Sequence, residues 1–353
     1  MKTKILVAAL AAGMVAAPSA QAAVKISGQV NVAALAGGAV DDLTIVDNNT
    51  TGSRFRFIAD KKFGNGFSVG TRFELQAQFA QSNDPDQIGI DSGGADPISA
   101  EAADGTPNDN FGPTPVREVR YADIWVAGPF GKIGIGRGDG AANGTSESYG
   151  ILNFQGGAEA HLLFNGVGTD FSDIDGRSRE NRIRYDSPNW SGFAFAVSLN
   201  DLDTTEIAGY YNAKGSWGKV RAQIGFTDRG SDDSETFDFS VAYKFPFGLG
   251  LNYSTGEFEN FAGVTTSEND WFMASWDLGK HFVISAGYGE EDERSADGVL
   301  EGGDSNELLI LSAVWKPVKG AEIYLNYGDW TNNVVTADND DDNVWALGGR
   351  VKF

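Results

Sequence analysis

The chain has 353 residues, a formal charge of -22 and no cysteine, which excludes disulfides and thiolate metal sites. Its acidity argues against nucleic acid as a partner, because phosphate binding needs clustered Lys and Arg. Forty-six glycines, 23 phenylalanines and only 41% hydrophobic residues suit many short strands and turns rather than a large helical core.

The first residues read as an export signal. Lys2 and Lys4 give a basic start, Ile5 to Ala17 an apolar run, and Ala20-Gln21-Ala22 a small-residue cleavage site. The apolar run is shorter than the roughly 20 residues a membrane-spanning helix needs. We expect residues 1–22 to be a signal peptide and 23–353 the mature domain. No later apolar run is long enough for a spanning helix, but a barrel crosses a membrane with only every second residue facing lipid.

Period-two alternation recurs down the mature chain. Phe67, Val69, Thr71, Phe73, Leu75, Ala77 and Phe79 share one face, and Ser68, Gly70, Arg72, Glu74, Gln76 and Gln78 the other. No helix could separate these sets, because its period is 3.6. The pattern predicts about sixteen strands. In the first half they fall at 24–34, 53–62, 67–80, 117–127, 132–138, 181–188, 193–200 and 206–214. The second half holds 219–227, 235–245, 248–257, 268–277, 281–290, 306–315, 320–329 and 343–353.

Connections alternate in length. Tight turns such as Gly64-Asn65-Gly66, Pro246-Phe247 and Gly279-Lys280 follow the even strands, and polar loops follow the odd ones, the longest at 81–116 and 139–180. That asymmetry, with apolar residues outside and polar ones inside, predicts an all-β fold: a transmembrane antiparallel β-barrel in the outer membrane of a Gram-negative bacterium. A soluble sandwich would also alternate, but the export signal and the loop asymmetry weigh against it.

Several segments resemble the general bacterial porins, the trimeric sixteen-stranded family. Ser53-Arg54-Phe55-Arg56-Phe57 before Gly64-Asn65-Gly66 is similar to their second strand and first turn. Gly131-Lys132-Ile133-Gly134-Ile135-Gly136-Arg137 resembles the strand leading into their inward-folded third loop. The most specific match is Arg182-Ile183-Arg184-Tyr185-Asp186-Ser187-Pro188-Asn189-Trp190-Ser191-Gly192-Phe193. The terminal Phe353 resembles the assembly signal read by the barrel assembly machinery. The acidic-glycine signature of the enteric third loop is absent from 139–180.

The resemblance implies a passive channel for small hydrophilic solutes and ions. It also implies a homotrimer among lipopolysaccharide and outer-membrane lipids, with no cofactor. General porins narrow the channel with the third loop facing a ladder of arginines. Alternation places Arg54, Arg56, Arg72, Arg182 and Arg184 toward the lumen, and the motif match adds Arg120 to this basic wall; Arg137 is a further candidate. The facing carboxylates would be Asp139, Glu147, Glu159, Asp170 and Asp173, with Asp175 beyond them. Opposed charges across a narrow pore order water and disfavour apolar solutes.

Trp125, Tyr185, Trp190, Trp217, Trp276, Trp315, Tyr324 and Trp345 could anchor in aromatic girdles at the membrane surfaces, with packing in a subunit interface the alternative for Trp125, Tyr185 and Trp190. The acidic runs in the loops, such as Asp338 with Asp340 to Asp342, give the mouth a negative charge, but none has the spacing of a calcium loop, and no metal site is expected. Three other readings stay open: a porin selective for sugars or anions, an enzymatic barrel, and a plugged structural barrel. The enzymatic reading is weakened because His161 and His281 are the only histidines and neither is placed in a Ser–His–acid set.

Overall fold

The computed structural model describes residues 23–38, 40–48, 51–78, 82, 116–152, 175–201, 203–230, 233–293, 305–331 and 342–353. The expected signal peptide, Glu159, His161, Asp170 and Asp173 lie outside them. Seventeen strands are described. The first eight are β1 (Ala23–Gly37), β2 (Val40–Asp47), β3 (Arg54–Lys62), β4 (Ser68–Gln78), β5 (Val116–Gly128), β6 (Gly131–Gly138), β7 (Glu180–Asp186) and β8 (Phe193–Asn200). Next come β9 (Thr204–Gly215), β10 (Gly218–Arg229), β11 (Ser234–Lys244), β12 (Leu249–Glu259) and β13 (Thr265–Leu278). The last four are β14 (Phe282–Glu293), β15 (Asn306–Trp315), β16 (Ala321–Thr331) and β17 (Asp342–Lys352).

Each strand pairs antiparallel with its neighbours, and β1 closes the sheet on β17 from Gln29↔Lys352 to Ala36↔Trp345. Closure satisfies the backbone groups that an open edge would leave bare, which the membrane interior demands. Gly28 and Phe353 exchange backbone hydrogen bonds of 2.9 and 3.0 Å at this seam. The Phe353 ring lies 5.8 Å from that of Phe55.

The β2 strand departs from expectation, since 35–52 reads as loop. The other flank of β1 is shared: β3 pairs with Ala23 to Gln29, and β2 takes over from Val32 to Gly37. The two therefore fill one position, and the barrel has sixteen. Many strands have 11 or 12 residues, just above the 9–11 or so that cross the hydrocarbon layer at a tilt near 45°.

The faces divide as the alternation predicts on β3 and β4. Phe55, Phe57 and Phe73 are exposed on the outer wall, while Glu74, Gln76 and Gln78 are buried inside. The inner wall is not polar throughout, however. On β15 the inward Leu308, Ile310 and Val314 alternate with the outward Leu309, Leu311 and Trp315. They cluster with Trp271, Met273, Tyr324, Trp330, Val344 and Ala346 on neighbouring inner faces.

Two girdle expectations are corrected by the same parity. Tyr324 is buried on the inner wall, where its hydroxyl donates to Asn31 Oδ1 at 2.8 Å. Trp125 shares the inward face with Asp123 and lies over Gly70. Trp190, Trp217, Trp276, Trp315 and Trp345 are exposed outside.

Candidate functional site

The inward arginines form two clusters, each around a buried carboxylate. On β4, Glu74 has no exposed side-chain surface and receives Arg54 Nη1 at 3.4 Å, Arg120 Nε at 3.2 Å and the Arg56 guanidinium. One negative charge is thus shared among three positive ones. Arg54 is further fixed by donating to the Gly52 carbonyl at 2.9 Å and Thr51 Oγ1 at 3.1 Å. Arg120 Nη1 donates to Gln76 Oε1 at 2.6 Å.

Asp123 on β5 holds the second cluster. Arg72 Nη2 and Arg182 Nη2 both donate to its Oδ2 at 3.0 Å. Arg72 also stacks on the Tyr121 ring at 3.5 Å, a cation–π contact. Arg184 pairs with Asp186 at 2.8 Å. All six predicted arginines therefore sit on the inner wall of β3, β4, β5 and β7. Arg137 does not: it shares the outer face with Ile135 and Ile183, and its guanidinium reaches Glu118 at 3.2 Å.

Residues 139–152, which follow β6, run across the inner wall from β8 to β13. Ala141 N–H donates to Ser198 Oγ at 2.7 Å, and Gln223 Nε2 to the Gly144 carbonyl at 2.6 Å. Thr145 Oγ1 donates to Asp238 Oδ2 at 2.8 Å, Ser254 Oγ to the Ser146 carbonyl at 2.6 Å, and Asn252 Nδ2 to Ser148 Oγ at 2.8 Å. Lys244 Nζ and Ser275 Oγ both reach the Leu152 carbonyl at 3.2 Å. Tyr149 and Leu152, within and just after a short 3-10 turn (Ser148–Ile151), pack into the inner apolar cluster. In a ring of sixteen, β12 stands eight positions from β4, so this segment lies across the lumen from the Glu74 cluster.

The loop carboxylates are placed differently from one another. Asp139, at the root of the loop, belongs with the arginines rather than opposite them: it accepts the Tyr121 hydroxyl, and its carbonyl accepts Arg182 Nε at 2.9 Å. Glu147 lies within the segment itself. Burial, then Asp139, push its carboxyl above the usual range, with Arg221 and Arg179 opposing. Asp175, on the returning limb, accepts Gly144 N–H at 2.9 Å, Ser146 N–H at 3.2 Å and Ser146 Oγ at 2.6 Å. Burial, then Glu147 and Asp238, hold its carboxyl well above the usual range, with Ser146 opposing.

The inward carboxylates Asp123, Glu206 and Asp238 escape a reading that looks for arginines. The available signal is an acidic residue flanked by outward apolar ones, as Asp238 is by Phe237 and Phe239. Among the described residues, no group of three or more His, Cys, Asp or Glu is arranged to hold a metal ion.

A closed antiparallel barrel with apolar outer strands, charged clusters inside and a segment laid along its inner wall defines a transmembrane β-barrel channel. A model of the Gram-negative porin family matches residues 7–351, and the chain belongs to that family of outer-membrane diffusion channels. No curated protein matches the sequence significantly. Among solved structures, OmpT of Vibrio cholerae is similar with a TM-score of 0.61 and 17% identity over 95% of this chain and 99% of that one. An anion-selective porin from Comamonas acidovorans gives 0.59 and 16% over 94% and 100%. OmpF of Salmonella typhi, in complex with daunomycin, gives 0.60 and 13% over 94% and 97%.

Proposed function

We propose that this porin is a passive, water-filled channel for small hydrophilic solutes and ions, narrowed between the arginine clusters and the 139–152 segment. The observation that carries the reading is the set of six inward arginines sharing three carboxylates, Glu74, Asp123 and Asp186. Guanidiniums stay charged at any relevant pH, so the wall keeps a positive excess. Glu147 is the described carboxylate on the facing segment, and Glu159, Asp170 and Asp173 are proposed to join it. A lumen of this kind orients polar solutes and needs no catalytic group.

The positive excess also favours a second reading, selectivity for anions, in line with the similarity to the anion-selective Comamonas porin. Residues 1–22 are proposed as a cleaved signal peptide, and Phe353 as the signal for the assembly machinery. Three copies are proposed to assemble among lipopolysaccharide and outer-membrane lipids. Purified protein added to a planar bilayer should produce discrete ohmic steps, and an intact barrel that leaves the bilayer silent would refute the channel reading.

A further inference from the structure

Both limbs of the loop that enters the lumen converge on one side chain that the channel reading does not use. Ala142 N–H, on the outgoing limb, donates to Glu206 Oε2 at 2.8 Å. Arg177 N–H, on the returning limb, donates to Glu206 Oε1 at 2.7 Å. Glu206 projects from β9 and is 2% exposed. Its two oxygens are taken by backbone amides, and among the described residues it makes no ion pair. A buried carboxylate needs such donors, and hydrogen bonds to a charged acceptor are the strong kind.

The sequence accommodates this arrangement. The limbs meet directly where Gly140 N–H donates to the Arg177 carbonyl at 2.9 Å. A Cβ at position 140 would overlap the Glu206 carboxylate, so glycine there lets the carboxylate stay between the two limbs. Ser198 Oγ, which accepts Ala141 N–H at 2.7 Å, lies 3.5 Å from Glu206 Oε2 and extends the contact to β8.

We infer that Glu206 is a positioning residue that clasps the neck of the third loop, setting how residues 142–152 sit against the inner wall of the channel. The conduction half of this inference rests on the channel reading. The clasp itself does not, because the carboxylate joins two limbs of one chain whether or not ions pass. Loss of the clasp leaves the barrel ladder intact and frees only the neck, so its signature is loop motion rather than unfolding.

The test uses the full-length protein with Glu206→Ala, Glu206→Gln and Gly140→Ala. The last keeps the carboxylate but forces it away from the two amides. Folded barrel is first verified by heat-shifted gel mobility. Amide hydrogen exchange at Ala142 and Arg177 should then rise at least about tenfold in Glu206→Ala and Gly140→Ala, the scale of losing a hydrogen bond to a charged group. Glu206→Gln keeps one acceptor oxygen and should fall between. Adding Gly140→Ala to Glu206→Ala should change little further, because both act on one contact. Single-channel records of the same variants should show more frequent brief closures at unchanged ion selectivity.

Unchanged exchange at both amides in Glu206→Ala would overturn the clasp. Faster exchange with wild-type closure frequency would overturn its control of the channel. Wild-type protein that folds but does not conduct would count against the channel reading and against that control alike, while exchange would still decide the clasp.

Discussion

Arg120 and Tyr121 are consecutive in β5, yet both side chains turn into the lumen. A bulge allows it: Glu74 of β4 faces Tyr121, and Leu75 faces Val119, so Arg120 is the extra residue. Below the bulge Ala122 and Ile124 face outward, and above it Val119 does. Bulges of this kind re-aim one side chain without disturbing the ladder on either side. Deleting Arg120 should therefore yield a regular strand with every other residue on its present face. We expect a folded barrel with normal heat-shifted mobility and one fewer lumen charge. Loss of the folded form would show that the bulge shapes the barrel rather than aiming one arginine.

Glu74→Gln should be more damaging than loss of any one of its arginines. It leaves three guanidiniums facing one another with no counter-charge. Breaking a buried pair costs about 3–5 kcal/mol. Arg56 is 38% exposed and solvent screens it, which favours the lower end. Thermal unfolding in detergent should show the loss, and bilayer recordings should show a shift toward anion permeation. A variant as stable as wild type would mean that lumen water already neutralises the cluster.

The raised carboxyl of Asp175 gives the loop a pH dependence of definite sign. The folded protein favours the neutral acid, whereas the unfolded chain titrates near 3.8. Stability should therefore fall as pH rises from about 4 and level off above the folded value. Asp175→Asn retains an acceptor for the Gly144 and Ser146 amides and should flatten this slope in thermal melts at several pH values. A slope unchanged in Asp175→Asn would assign it elsewhere.

Much of the fold is legible because outward residues must be apolar and strands have a period of two. Phe55, Phe57 and Phe73 settle the faces of β3 and β4, and with them the direction of Arg54, Arg56 and Arg72. Where both faces are apolar, as on β15, alternation loses its contrast. The β2 strand is hidden because its exposed Leu43 and Ile45 alternate with Thr44 and the buried Val46, behind two aspartates that read as loop. Arg120 shows a different limit. Counted back from Ile124 it should face out, and counted from Val119 it should face in. The bulge between them is a property of register with β4, which one strand's sequence does not contain. Glu206 was illegible for a similar reason, since its partners are backbone amides that any residue supplies.

As Trp125 does over Gly70, two further inner-wall aromatics lie over glycines on the adjacent strand, Trp271 on Gly287 and Tyr324 on Gly348. A methyl group at either position would overlap the ring. Gly287→Ala should cost about 1–3 kcal/mol, the usual range for overpacking. Near-ultraviolet circular dichroism should report the displaced tryptophan alongside the lower melting temperature. A wild-type spectrum with wild-type stability would mean that Trp271 has room to move.

On the proposed reading, the inward arginines bias which ions pass. Glu74 keeps Arg56 and Arg120 when Arg54 is removed, and Asp186 keeps Lys132 at 3.6 Å when Arg184 is removed, so losing both lowers the wall charge without emptying either carboxylate site. The direct measurement is the reversal potential across a salt gradient for the wild type and for Arg54→Ala with Arg184→Ala. On that reading the double variant conducts and its reversal potential moves toward cation permeation. A conducting double variant with the wild-type reversal potential would contradict it.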